Sequence, residues 1–219
     1  MLEKMDEFFE NRIDSYEEHM LSLSHIKNGY IKFAELLPEN SKYYLNLGCG
    51  TGLELVEIFK RFPDIYVTGI DMSQKMLDIL HNKFPDKNIY LIKANYLEYD
   101  FGNDIYDTVI SYQTLHHLEH KTKTNLYKKI FNALVPNGQY IECDYMVFTQ
   151  EEEDFHFSES EKLRLKQGIN NDEIYHFDTP CTVKNQIMML QKAGFINVKE
   201  EWRDKNAVKI RAIKYQFNN

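Results

Sequence analysis

The stretch Leu45-Asn46-Leu47-Gly48-Cys49-Gly50-Thr51-Gly52-Leu53 decides how this chain folds. It begins in a short apolar run, residues 43–47. It ends in a segment, residues 53–62, whose apolar positions recur at helical spacing and which stops before Pro63. A strand that passes through a glycine cluster into a helix opens a βαβ unit. Three of the chain's nine glycines lie between positions 48 and 52. Glycine there lets the backbone turn tightly and lets a ligand approach the main chain. The following helix aims unpaired N–H groups and a partial positive charge at the same spot. A cofactor bearing a carboxylate or phosphate is the natural occupant.

The pattern repeats outward from this point. Residues 65–70 read as a second strand ending at Asp71, and Ser73 caps a helix that stops before Pro85. Residues 89–93 and 105–112 read as strands three and four. A helix follows over 121–134, then the turn Pro136-Asn137-Gly138 and a fifth strand over 139–145. Strands alternating with helices predict a parallel sheet wound on both faces. After a helix over 183–193, strands at 196–202 and 207–213 are joined by a link so short that they form an antiparallel hairpin. The expected fold is therefore α/β: a doubly wound, seven-stranded, mainly parallel sheet with an antiparallel C-terminal hairpin. One domain spans 1–219. It divides into a helical N-terminal lid (1–40), a core (41–145), an acidic inserted lid (146–182), and the last helix and hairpin (183–219).

Composition narrows the function classes. The chain has 219 residues, with 26 Lys and Arg against 34 Asp and Glu, a net charge of −8. That sign argues against nucleic acid as the main partner. A late basic cluster, Lys199, Arg203, Lys205, Lys209, Arg211 and Lys214, reads better as solvated strand edges that resist edge pairing. No apolar run approaches the ~20 residues that span a bilayer, and the charged segment 1–14 does not read as a secretory signal. Cys49, Cys143 and Cys181 form no CxxC pair. A reducing, cytoplasmic setting is expected. The sequence offers no oligomer signal.

Asp71 lies about twenty residues beyond the glycine cluster, where a carboxylate accepts hydrogen bonds from both hydroxyls of a ribose. Dinucleotides ask for G-x-G-x-x-G. Here the spacing is G-x-G-x-G and the third position is Leu53, which disfavours a nicotinamide cofactor. The segment 45–52 instead resembles motif I of class I S-adenosylmethionine (SAM) dependent methyltransferases. Val67-Thr68-Gly69-Ile70-Asp71-Met72-Ser73 resembles their second motif, and Tyr106-Asp107-Thr108-Val109-Ile110-Ser111 their fourth-strand motif. Leu115-His116-His117-Leu118 is similar to a sequel common in small-molecule members, the turn Leu134-Val135-Pro136-Asn137-Gly138-Gln139 resembles the family's turn before strand five, and the terminal hairpin resembles its reversed last strand.

The resemblance implies SAM as cofactor, S-adenosylhomocysteine (SAH) as product and a small-molecule acceptor. It implies that Gly48, Cys49, Gly50 and Gly52 hold the methionine part, that Asp71 binds the ribose, and that Met72 lies against the adenine. Asn95 and Tyr96 fall at the adenine edge. Asn95 is an amide where many members carry an aspartate, and its carbonyl can still accept a bond from the adenine amine. Tyr112 and Gln113 would flank the methyl. Arg12 and Tyr16 resemble a lid segment that closes over the cofactor.

Transfer from a sulfonium is an in-line displacement, in which alignment is worth roughly 7–11 kcal/mol. A base adds about 10²–10⁴-fold where the acceptor must lose a proton. His117, Asp144 and His176 are the catalytic candidates, with His116 and His156 as further bases. Histidines at 116, 117, 120, 156 and 176 and Asp178 could converge on a metal. None shows a dedicated zinc spacing, so no metal is expected. Tyrosines 16, 30, 96, 112, 145 and 175 fall at expected pocket edges and suit a flat or apolar acceptor. Rival readings are a SAM-binding sensor or partner subunit without turnover, and a transferase that uses a modified SAM.

Overall fold

A computed structural model describes residues 1–169 and 174–215. Parts of the expected inserted lid and of the C-terminal segment lie outside them. In chain order the elements are α1 (Met5–Glu10), α2 (Ile13–Ser22), α3 (Ser24–Glu35), β1 (Tyr43–Leu47), α4 (Leu53–Arg61), β2 (Tyr66–Asp71), α5 (Gln74–Lys83), β3 (Ile89–Lys93), β4 (Tyr106–Tyr112), α6 (His120–Ala133), β5 (Leu134–Tyr145), α7 (Gln150–Gln167), α8 (Val183–Lys192), β6 (Ile196–Asp204) and β7 (Ala207–Ile213). The sheet order is β3-β2-β1-β4-β5-β7-β6. β7 runs antiparallel to both β5 and β6, and the other pairs are parallel.

The central strands of the sheet are buried on both faces. Tyr44, Val67, Ile110 and Ile141 pack against α3, α4 and α5, with Phe33, Leu55, Ile58 and Leu80 supplying the helical side. Leu45, Leu47, Val109 and Tyr140 face the other way, onto Leu126, Tyr127 and Ile130 of α6 and Leu190 of α8. Each such side chain contributes roughly 1.5–3 kcal/mol of burial. α7 has a different basis. Its one buried residue is Glu153, and its start is fixed by a capping box between Thr149 and Glu152.

Three sequence expectations change in detail. The N-terminal helical region breaks at Asn11–Arg12 and at Leu23 into three helices. Strand five starts at Leu134, not after the Pro-Asn-Gly turn. That turn is a bulge inside the strand, where Asn137 takes a φ of 62° and its N–H donates to the Lys214 carbonyl. The basic cluster is not uniformly a solvated edge. Lys209 is fully buried, its ammonium over the rings of Trp202 and Phe33, and burial pushes its pKa down to about 7. Arg203, Arg211 and Lys214 pair with Glu200, Glu201 and Asp104.

Parallel neighbours β1 and β4 leave the sheet's midline in opposite directions, α4 toward one face and the chain after β4 toward the other. The crevice at their carboxyl ends is where such folds bind ligands. Two peripheral segments cross that crevice and meet. Lys4 bridges Tyr175, and the His176 N–H donates to the Glu3 carbonyl at 2.9 Å.

Candidate active site

The glycine loop leaves β1 with three left-handed residues in alternation: Gly48, Gly50 and Gly52, at φ 61°, 47° and 71°. A side chain is strained at each, but the surroundings differ. A Cβ on Gly48 would sit 2.2 Å from Thr114 Oγ1, and one on Gly52 would press on Leu80. A Cβ on Gly50 meets only Tyr16 Oη, at 3.8 Å. The open side of the loop is therefore at Gly50, and Tyr16 roofs it. Lys83 of α5 ties the loop down by donating to the Thr51 carbonyl at 2.8 Å, and its ammonium also pairs with Glu17 of α2. Cys49 is buried, its sulfur against Gly69 of β2.

Asp71 ends β2 beside the loop. One carboxylate oxygen accepts from the Gly50 N–H at 2.8 Å and the other from the Ser73 N–H at 2.9 Å. Burial raises its pKa against the pull of those donors. Asp71, Met72, Asn95, Tyr96 and Gly48 line one small cavity of about 60 Å³, together with Phe9, Gln113, Thr114 and His117. Asn95 reaches the expected place already engaged. Its side-chain oxygen accepts from the Leu97 N–H and its amide donates to Glu98, so one acceptor position remains. Tyr96 bonds Thr114 through its hydroxyl.

A larger chamber of about 1030 Å³ adjoins this cavity. Its wall comes from α1 and α2 (Phe8, Phe9, Arg12, Tyr16) and from the ends of β4 and β5 (Gln113, His116, His117, Tyr145). His176 and Asp178 of the insertion complete it. Phe9, Gln113 and His117 belong to both spaces. Gln113 takes a φ of 51° at the end of β4, and its buried Nε2 has no hydrogen-bond partner among the described residues. A left-handed glutamine with an unpaired buried amide is the kind of strain that marks a ligand site. Arg12 lines the chamber rather than the cradle, pairing with Glu3 and lying 3.8 Å over the Phe8 ring. Tyr112 turns away from the chamber. Its hydroxyl donates to the Ile26 carbonyl at 2.7 Å and its ring stacks on Tyr30, while it still lines the space behind the glycine loop.

The chemistry-bearing residues gather at the chamber's inner end. Asp144 is buried and accepts from the Leu115 and Tyr145 N–H groups. It also bonds His116 Nδ1 at 2.5 Å. His116 Nε2 and His117 Nδ1 face Asp178 Oδ1 at 3.6 and 3.2 Å. His176 stacks flat on Phe8, 3.4 Å between centroids, with His117 4.7 Å away. Burial works against the charge on His116, but Asp144 more than offsets it and the pKa rises. Burial and the His116 charge push His117 below its ordinary value, and burial pushes His176 down to about 4. Burial opposes the charge on Asp178 as well, yet the hydrogen bond from His117 and the charge of His116 hold its carboxyl well below the usual range. Two residues weighed with this group lie elsewhere. His156 stands edge-on to Tyr145, and His120 pairs with Glu153 at 2.7 Å.

One residue escaped the sequence reading. Glu54, in the first turn of α4, is buried at the floor of the space lined by Tyr16, Tyr30, residues 48–53 and Tyr112. It accepts from Asn46 Nδ2 at 2.5 Å, and burial pushes its pKa up to about 7. The signal was present: an acid between Leu53 and Leu55, one step past the glycine loop.

Similarity to known proteins agrees with this geometry. Residues 45–138 match a family described as a methyltransferase domain. The phosphoethanolamine N-methyltransferase of Plasmodium falciparum is 28% identical over 152 residues, covering 69% of this chain and 56% of its own length. A carboxy-S-adenosyl-L-methionine synthase of Nautilia profundicola is 24% identical over 218 residues, covering 92% of this chain and 86% of its own. Human N-acetylserotonin methyltransferase, solved with SAM, superposes with a TM-score of 0.64 at 16% identity, covering 90% of this chain and 53% of that one. The chain thus spans little more than half the length of the first and last of these. The seven-stranded sheet is the Rossmann-like methyltransferase fold, and residues 45–138 are similar to a methyltransferase domain. The family match covers less than half of the chain, and the human structure of the same fold holds SAM. The residues of this chain fit SAM: an open glycine loop, a buried carboxylate beside it and an amide unpaired among the described residues lie at one crevice. Among the described residues, no helix is long and apolar enough to cross a membrane.

Proposed function

We propose that the protein transfers the methyl group of SAM to a small-molecule acceptor held in the 1030 Å³ chamber. The observation that carries this reading is the shared wall: cradle and chamber meet at Phe9, Gln113 and His117. Bound SAM supplies an activated methyl on a sulfonium. The protein's part is alignment and exclusion of water. Gly48, Cys49, Gly50 and Gly52 hold the methionine end, Asp71 the ribose, and Met72, Asn95 and Tyr96 the adenine. Gln113 stands where the methyl emerges. Tyr16 closes the cradle from above, with Tyr112 behind it, and Arg12 anchors the lid through Glu3 at the chamber's mouth. His117 and His176 shape and orient the acceptor. Asp144 acts through His116 and is a positioning residue. The acceptor's small size is supported by a chamber roofed on two sides by α1 and the 174–178 segment. A cytoplasmic setting suits three free, buried cysteines.

A structure of the SAH complex tests this placement. The sulfur is expected beside Gln113, facing the chamber. A sulfur turned toward Tyr30, away from the chamber, contradicts it.

Glu54 is the proposed counter-charge for the ammonium of the bound methionine moiety. Around it stand Asn46 of β1, Asp71 of β2, Lys83 of α5 and Tyr16 of α2. Its folded pKa of about 7 lies above the ordinary 4.5. Between those values the folded chain keeps a proton that the unfolded chain has lost, so stability falls as pH rises through that window. Binding a cation has the opposite sign, because it favours the ionised carboxylate. SAM affinity is expected to rise about tenfold from pH 6 to 8, because binding must displace the Glu54 proton below its pKa and finds it already gone above. Glu54→Gln flattens both slopes. Calorimetry across that range checks it; an equal rise in the variant would contradict the role.

A second reading is favoured by the coverage of the Nautilia relative, 92% of this chain: a transferase that makes or uses a carboxylated SAM. Mass spectrometry of the ligand retained from an equimolar mixture of SAM and carboxy-SAM decides between them.

A further inference from the structure

His116, His117 and Asp178 bring three donor atoms together at the inner end of the chamber, all within 4.8 Å of one another. We propose that they bind a divalent transition-metal ion whose open position faces the acceptor, and that the acceptor carries a hydroxyl able to ligate it. The identity of the acceptor's reacting group rests on the methyl-transfer reading; the metal site does not.

Four observations carry the site. Ion–donor bonds of ~2.0–2.1 Å in a tetrahedral shell leave donors ~3.3 Å apart. Asp178 Oδ1 lies 3.2 Å from His117 Nδ1 and 3.6 Å from His116 Nε2. Asp144 faces His116 Nδ1 at 2.5 Å, which leaves Nε2 as the ring nitrogen on the Asp178 side. A carboxylate behind a ligating histidine is the usual way to fix its tautomer and ring orientation, and Asp144 is itself fixed by two backbone donors. Two buried histidines beside a half-exposed aspartate leave the shell open on the chamber side. Two imidazoles and a carboxylate suit zinc, iron, cobalt or nickel, where an all-oxygen set would suit magnesium or calcium.

The neighbouring trio His120, Glu153 and Cys181 is a poorer site. Glu153 already accepts from the Thr182 N–H and from Asn185 Nδ2, and the Lys123 ammonium lies 3.3 Å from the Cys181 sulfur. It serves as the internal control.

An ion at the first site lowers the pKa of a hydroxyl that coordinates it. The hydroxyl proton leaves to solvent through the chamber. An oxygen lone pair forms the new C–O bond as the methyl's C–S bond breaks, and that electron pair stays on sulfur as SAH. No oxidant is required.

Cobalt titration of chelator-treated protein tests the site without reference to turnover. One equivalent of Co(II) is expected to give the visible bands of a low-coordinate site and to be displaced by zinc. Asp178→Asn and His117→Gln should abolish those bands. Asp144→Asn should weaken uptake by about 10–100-fold, the scale of losing an outer-shell partner. His120→Ala should change nothing. The competing arrangement, a protonated His116 between two carboxylates, gives no stoichiometric uptake. That result, or bands that survive Asp178→Asn together with His117→Gln, overturns the proposal. SAM calorimetry on the same sample separates the two readings. SAM binding without cobalt binding removes the metal alone, and loss of both removes the methyl-transfer reading as well.

Discussion

Gly50→Val is expected to lower SAM affinity by at least about a hundredfold while leaving the sheet intact. Two effects act together. Gly50 sits at φ 47°, where a residue with a Cβ costs roughly 1–2 kcal/mol. Its N–H is also one of the two donors that hold Asp71. A shifted backbone at 50 therefore moves the carboxylate. The new side chain has one direction open to it, toward Tyr16, which is the space proposed for the cofactor. Gly48→Ala is a less clean test, because its Cβ would meet Thr114 Oγ1 at 2.2 Å and disturb the loop's packing. Calorimetry reads the affinity, and far-ultraviolet circular dichroism reads the fold. A Gly50→Val protein with native dichroism and native SAM affinity would show that the loop is not the cradle.

Asp71→Ala should weaken SAM by at least about tenfold, since hydrogen bonds to a charged group are worth ~1.5–3 kcal/mol each. The carboxylate bridges Gly50 and Ser73 and faces Met72 and Asn95 across the small cavity. SAM and SAH should lose affinity equally, because the loss belongs to the ribose and not to the methyl. Unchanged affinity by calorimetry removes Asp71 from the site. A loss for SAM alone would move it to the sulfonium end.

The sheet was legible because each strand runs between unambiguous punctuation. Pro38, Pro63 and Pro85 stop helices, and the glycine cluster and Asp71 mark strand ends on the ligand side. The turn at 136–138 misled by one register of meaning. Pro-Asn-Gly normally interrupts a strand, but here the Asn137 N–H and Gly138 carbonyl pair with Lys214, so the ladder continues through the bulge. Lys209 misled because charge patterning along a strand does not reveal which face α3 covers. The proposed cradle is local in sequence: residues 48–52, 71 and 72 sit within one βαβ unit. The chamber did not. It joins α1, the end of β4, the end of β5 and the insertion, four segments whose meeting depends on tertiary packing. The sequence put His117 and His176 forward as catalytic candidates and left 116, 120 and 156 unsorted. The fold sorts them into two clusters and an outlier. Glu54 stayed hidden because an acid in the first turn of a helix reads as a favourable end charge, and only the closed fold shows it buried.

The central claim is methyl transfer from SAM to a small molecule, and labelled transfer tests it most directly. SAM carrying an isotopically labelled methyl group is incubated with the protein and an unfractionated cell extract, and the label is followed by mass spectrometry. A mass increase of one labelled methyl group is expected in a low-molecular-weight compound, with stoichiometric SAH. Label confined to protein or RNA, or no SAH released from protein that binds SAM, would contradict it.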